Sequence, residues 1–146
     1  KQWINAKQVK DALDVFKIIN ASVPKGIKME DWNSLCWFGT LYAAKQKNLK
    51  LAKSILAISE AALKSDKDNA SYRDTLGVAR TVVGGKRRWQ NAIKDFRMYI
   101  DNTNDTTHKE RRQQFIDSLE SALEDPSRKK YENLLTEDII DQLLNE

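Results

Sequence analysis

The chain has 146 residues and a mass of 16.8 kDa, with 40% hydrophobic and 32% charged residues, enough for one compact domain with a buried core. That balance excludes a disordered polymer, and no stretch approaches the ~18–20 uninterrupted apolar residues of a membrane span. The net charge of +4 divides into +6 over residues 1–65 and −2 over residues 66–146, too little to argue for nucleic acid by itself.

Five Gly and two Pro favour long helices over a turn-rich β fold. Apolar residues at helical spacing (Trp3, Ala6, Val9, Leu13, Phe16) predict a first helix over 3–20, broken by Pro24 and Gly26. A second helix is expected from Met29 to Gln46, with Trp32, Leu35, Phe38 and Tyr42 near one face. Asn48 interrupts, and Leu51, Ile55, Ile58 and Ala62 carry a third helix to about Ser65. The polar run Asp66–Asn69 reads as a turn.

A fourth helix is expected over Ala70–Val83, ended by Gly84-Gly85, because glycine closes helices at positive φ without a Cβ clash. The fifth, over 87–101, carries Trp89, Ile93, Phe96 and Ile100. Thr106 or Thr107 is the expected cap of a sixth, with Phe115, Leu119 and Leu123 on its buried stripe and Pro126 as its stop. Residues 127–133 are charged and read as a loop. Thr136 then caps a final short helix, with Glu137 and Asp138 in its first turn and Ile139, Ile140, Leu143 and Leu144 behind.

Two helix pairs resemble one another. Leu35-x2-Phe38-Gly39-x2-Tyr42 opens one and Arg73-x2-Leu76-Gly77-x2-Arg80 the other, with the two glycines 38 residues apart. A glycine inside a helix hairpin lets the neighbouring helix approach where a side chain would hold it off. The pattern resembles the tetratricopeptide repeat family, whose signature is W-x2-L-G-x2-Y, then A-x3-F, then Pro. Leu76-Gly77 with Ala92-x3-Phe96 matches in the second pair, and Leu35, Phe38-Gly39 and Tyr42 match in the first. Arg80 replaces an aromatic, Asn104 and Lys67 stand where proline would close each unit, and the resemblance covers residues 30–105.

The strings Asn33–Tyr42, Tyr72–Arg80 and Leu135-Thr136-Glu137-Asp138 are also similar to a C-terminal repeat cassette of large bacterial signalling proteins. That cassette is attached to caspase-like peptidase, NTPase or β-propeller domains. The resemblance implies an all-α fold of antiparallel helix hairpins stacked as a short solenoid. One domain of four parts is then expected: an N-terminal helix and linker over 1–28, repeats over 29–68 and 69–105, and capping helices over 106–146. A start at Lys1 and not at Met implies a piece of a longer protein, and the single cysteine implies a reducing, cytoplasmic setting.

Few residues offer chemistry. Cys36 and His108 are the only candidates for a thiol and its imidazole base, and a cysteine between Leu35 and Trp37 on a helix ordinarily behaves as a small hydrophobe. One His and one Cys do not supply the clustered ligands of a zinc site, so no metal, cofactor or small-molecule substrate is expected. Gly84-Gly85-Lys86 lacks the Ser or Thr and the earlier glycine of a phosphate loop. Arg73 and Arg80 lie two turns apart on one helix face, placed to pair with acids of a neighbouring helix or to face a partner.

The expectation is therefore a non-catalytic module that docks another protein or an attached effector domain. Carrying over the family's groove positions, the partner-binding surface comprises Asn33, Cys36, Thr40, Ala43 and Ala44, then Ser71, Asp74, Val78, Thr81 and Val82. The family's grip on a C-terminal carboxylate is not expected, because Cys36 and Thr40 depart from its pattern. The alternative is nucleic-acid binding through Lys86, Arg87 and Arg88 with Arg111 and Arg112, joined by the run Arg128-Lys129-Lys130. Acids beside each patch (Asp95, Glu110, Asp125, Glu132) weigh against it.

Overall fold

A computed structural model of the chain describes residues 28–146, so the helix expected over 3–20 lies outside the described residues. Six α-helices and no strand occur among the described residues: α1 (Met29–Lys45), α2 (Leu49–Leu63), α3 (Ala70–Val83), α4 (Lys86–Asn102), α5 (Thr106–Glu124) and α6 (Glu137–Leu144). Side-chain caps start four of them. Asn48 accepts from Leu51 N, Asn69 from Tyr72 N, Asp105 from His108 N and Thr136 from Ile139 N. Each such bond satisfies one of the amides a helix start leaves unpaired and contributes about 1 kcal/mol. The cap of α5 is Asp105, not Thr106 or Thr107. Its carboxylate reaches the amide three residues on, which draws both threonines into the first turn.

Connectors of a few residues fold consecutive helices back on one another. Cys36 and Ser59 touch at similar distances from the α1–α2 turn, and Arg73 and Asp95 do the same about the α3–α4 turn, so both pairs are antiparallel. Helix α3 also packs on α1 and α2, α5 packs on α4, and α6 packs on α1. A Cβ on Gly77 would stand 2.6 Å from Cε1 of Phe96, so the missing side chain is what admits the α4 ring to α3. One buried cluster takes Leu41, Ile55, Leu76, Phe96, Leu119 and Leu143 from the six helices in turn. Burying each large side chain contributes on the order of 1.5–3 kcal/mol.

After α5 the chain runs without helix over residues 125–136. It crosses the α3–α4 corner, where Gly84 and Gly85 have φ of 83° and 102°. There the Gly85 amide donates to the Tyr131 carbonyl at 2.8 Å, and a Cβ on Gly84 would collide with that carbonyl oxygen. The Tyr131 ring meets Trp89 edge-on at 5.3 Å. No helix among the described residues is long and apolar enough to cross a membrane.

Candidate functional site

Nine of the ten residues assigned to a partner groove fall on the facing sides of α1 and α3, at two clefts and the ridge between them. Asn33, Ser71 and Asp74 line one cleft with Trp37, Tyr99 and Arg112. Ala43, Ala44 and Val82 line the other with Val83, Glu132 and Asn133. Thr40, Val78 and Thr81 occupy positions between the two, and each is only 1% exposed. Ser71 is exposed and Asn33 half-buried, while the other eight are buried.

Cys36 belongs elsewhere. It faces Ser59 of α2 and Tyr72 and Thr75 of α3, inside the helix packing. Burial pushes its thiol up to about 11 against a small opposing effect of Ser59, so it stays protonated and out of reach at neutral pH. His108, its only imidazole candidate, lies instead within 2.9 Å of the Tyr99 hydroxyl, at the Asp74 cleft.

The chain's own C-terminal segment connects the two clefts. Glu132 and Asn133 stand at the Ala43–Val82 cleft, and Glu146 stands at the Asn33–Asp74 cleft. Residues 132–146 therefore run antiparallel to α1 and α3, with α6 packed on α1 between the ends. Ile140 and Leu143, three residues apart, share one buried face of α6, and Glu146, two residues past the helix end, has its side chain only 6% exposed. Asp138, Asp141, Gln142 and Asn145 are exposed. Lys45 pairs with Asp141 at 3.0 Å across this contact, both well exposed.

The far end of the segment closes on a charged cluster. Arg112 of α5, 1% exposed, donates through Nε and Nη2 to both carboxylate oxygens of Asp74 at 2.8 Å. Its Nη1 and Nη2 donate to the Glu146 carboxylate at 2.9 and 2.6 Å. Arg111 adds a bond to Glu146 at 2.8 Å, and His108 Nε2 lies 3.5 Å from it. Trp37, Tyr99 and Phe115 surround the guanidinium at 5.3–5.8 Å. A planar donor fork that serves two carboxylates at once is what arginine supplies and lysine does not.

Burial pushes the Asp74 carboxyl up, and the Arg112 bonds offset only part of this. Burial works the same way on Glu146, but there the bonds and charge of Arg112, with Arg111 and His108, outweigh it and hold the carboxyl below the usual range. Arg112 itself is lowered by burial and raised further by its two carboxylates, so it stays charged.

Arg112 therefore leaves the proposed basic patch. It is the buried centre of the cluster, and Arg111 is turned to the same carboxylate. Lys86, Arg87 and Arg88 remain exposed on the first turn of α4. The crossing chain brings Arg128 to the Trp89 ring that follows them, with its guanidinium 5.7 Å away. Trp89 is fully buried, its indole N–H donating to the Thr81 carbonyl, so it presents no face for a base to stack on.

Arg73 and Arg80 both pair with Asp95 of α4, at 2.8 and 2.6 Å, and neither is left for a partner. Asp95 is completely buried, and burial pushes its carboxyl up despite both arginines. No group of three or more His, Cys, Asp or Glu that could hold a metal ion occurs among the described residues. Sequence reasoning missed Glu146, Trp37 and Tyr99 as members of the site. The acid-rich end was the available signal, but nothing in it named Arg112 as its counterpart. Comparison with protein-family models, with curated proteins and with solved structures finds no match to this chain.

Proposed function

We propose that the chain is a non-catalytic protein-interaction module, built as a short tetratricopeptide-like stack, that docks a partner on the joint face of α1 and α3. The observation that carries this reading is the state of that face: its α1 side already holds an amphipathic helix, α6, and the cleft it shares with α3 holds the carboxylate that follows that helix. The adjacency of α1 and α3, each the first helix of its hairpin, and the close approach at Gly77 support the repeat reading. The setting inferred with it is a cytoplasmic bacterial signalling or defence-type assembly, in which the module brings a substrate or regulator to an attached or partner effector.

The test is affinity capture from the host cell, followed by titration of each purified captured protein against the chain. At least one should bind saturably at one-to-one stoichiometry. If nothing titrates against either the native chain or Glu146→Gln, the interaction reading is wrong.

A second reading has one observation of its own. Lys86, Arg87 and Arg88 lie exposed on the turn that leads into Trp89, whose ring the Arg128 guanidinium meets at 5.7 Å, and a basic surface of this kind fits a phosphate backbone. It requires oligonucleotide binding that falls steeply with salt and weakens in Lys86→Ala/Arg87→Ala/Arg88→Ala. Absence of binding at low salt ends it.

A further inference from the structure

The α6 position differs from every other helix position among the described residues. The first five helices are separated by connectors of two to six residues, whereas α6 follows twelve residues without helix, over 125–136. It has eight residues and, among the described helices, packs on α1 alone. A helix held this way can leave without unwinding its neighbours, because its connector absorbs the movement. What it leaves behind is chemically defined: the ground against α1 that buries Ile140 and Leu143, ending at the donor group of Arg111, Arg112 and His108.

Resting on the interaction reading above, we propose that this ground is a helix-receiving seat. Its external ligand is an amphipathic, acidic helix from the partner protein. That helix carries an aliphatic residue and a second aliphatic residue three positions on, and a carboxylate follows three positions further, just past the helix end. Ile140, Leu143 and Glu146 display this pattern in cis, so α6 is the resident competitor of the partner helix. The carboxylate is the selective element. Two of the five N–H donors of Arg112 are taken by Asp74, which is fixed in the fold, and two of the remaining three point at the position Glu146 fills. An apolar side chain there would strand buried donors, and a cation would meet Arg111 and Arg112 directly. The charge of the body and of the tail agree with this. The last fifteen residues hold five acids and no base, and the seat closes on cations.

The experiment uses the full chain with Ile140→Asp/Leu143→Asp, which empties the seat without altering it, and a fluorescent peptide of residues 135–146 as probe. The variant should keep its helical circular dichroism and cooperative melting and should bind the peptide. The native chain should bind it about a hundredfold more weakly, since a tethered competitor acts at an effective concentration on the order of millimolar. A peptide carrying Glu146→Lys should bind the variant at least about tenfold more weakly than the unaltered probe. A variant that unfolds would make α6 an integral part of the core and overturn the proposal. So would a folded variant that ignores the peptide, or equal binding of the two peptides.

Native-state hydrogen exchange on the unaltered chain gives an independent reading. Amides of α6 should exchange through a smaller opening than those of α3 and α4, and identical protection would overturn the proposal. Concentration-dependent dimers with exchanged tails would assign the seat to a second copy and overturn it as well. A captured protein that binds native and emptied chains equally would leave the interaction reading standing while removing the seat.

Discussion

Two buried carboxylates, Asp95 and Asp74, are each met by arginine chemistry, and the two arrangements behave as opposites. Asp95 sits inside one hairpin, where Arg73 and Arg80 reach it across α3 and α4. Every member comes from elements that pack along their length. Asp74 is bound to Arg112 of α5, and Arg112 shares its fork with Glu146 at the end of a loosely tethered segment. The first cluster fixes two neighbouring helices. The second joins a fixed pair to a part that can detach. Similar ion-pair chemistry thus serves as a rivet in one place and as a latch in the other, and the difference lies in what the third member is attached to.

The largest effect should come from breaking the rivet. Asp95→Ala leaves two arginines facing a fully buried site and should cost about 3 kcal/mol of global stability in urea unfolding. Their partial exposure keeps the loss at the lower end of the range for buried pairs. Gly77→Ala drives a methyl group against the Phe96 ring and should cost about 1–3 kcal/mol, again in global unfolding.

Breaking the latch should look different. Glu146→Gln should weaken α6 docking by about 2 kcal/mol, seen as faster amide exchange in α6, with the exchange of α3 and α4 unchanged. Acid should separate the two clusters as well. Glu146 is held below its ordinary value, so the stability it contributes is complete above about pH 5 and is lost as pH falls through the lowered value. Asp95 and Asp74 are raised, so their protonation on acidification favours the folded form over the unfolded one. Titration from pH 7 towards 3 should therefore release α6 before the α3–α4 hairpin melts, as read by a fluorophore on the tail against far-ultraviolet circular dichroism. The smallest effect belongs to Lys45→Ala. Its pair with Asp141 is exposed, and the change in α6 docking should stay below about 0.5 kcal/mol.

The helices were legible because their determinants are local. Apolar spacing, the Asn48 interruption, the Asp66–Asn69 turn, the Gly84-Gly85 stop and the Thr136 cap all act within a turn or two, and each appears where the pattern puts it. The one misread cap, Thr106 or Thr107 in place of Asp105, exchanges neighbours of similar capping chemistry. The site was legible only in part. Positions on α1 and α3 follow from helical period, but the facing of Cys36 depends on Ser59 of another helix. The bonds from Arg112 to Asp74 and Glu146 span 38 and 34 residues and leave no periodic trace. A run of basic residues reads as a surface patch until the acids that consume it are located in space.

The crossing at Gly84 and Gly85 has a consequence for how the chain tolerates change. Tyr131 is received there through its carbonyl oxygen, a group every residue carries, whereas Gly84 makes room with an absence that only glycine provides. The two sides of this contact therefore hold unequal information. At 131 the backbone bond survives any substitution, and the residue type is chosen only by the Trp89 ring. At 84 a single methyl group closes the passage. Lys129 and Lys130, exposed beside the crossing, should tolerate a change of charge while the route of the tail stays the same, because the gate is written into the body and not into the segment that passes through it.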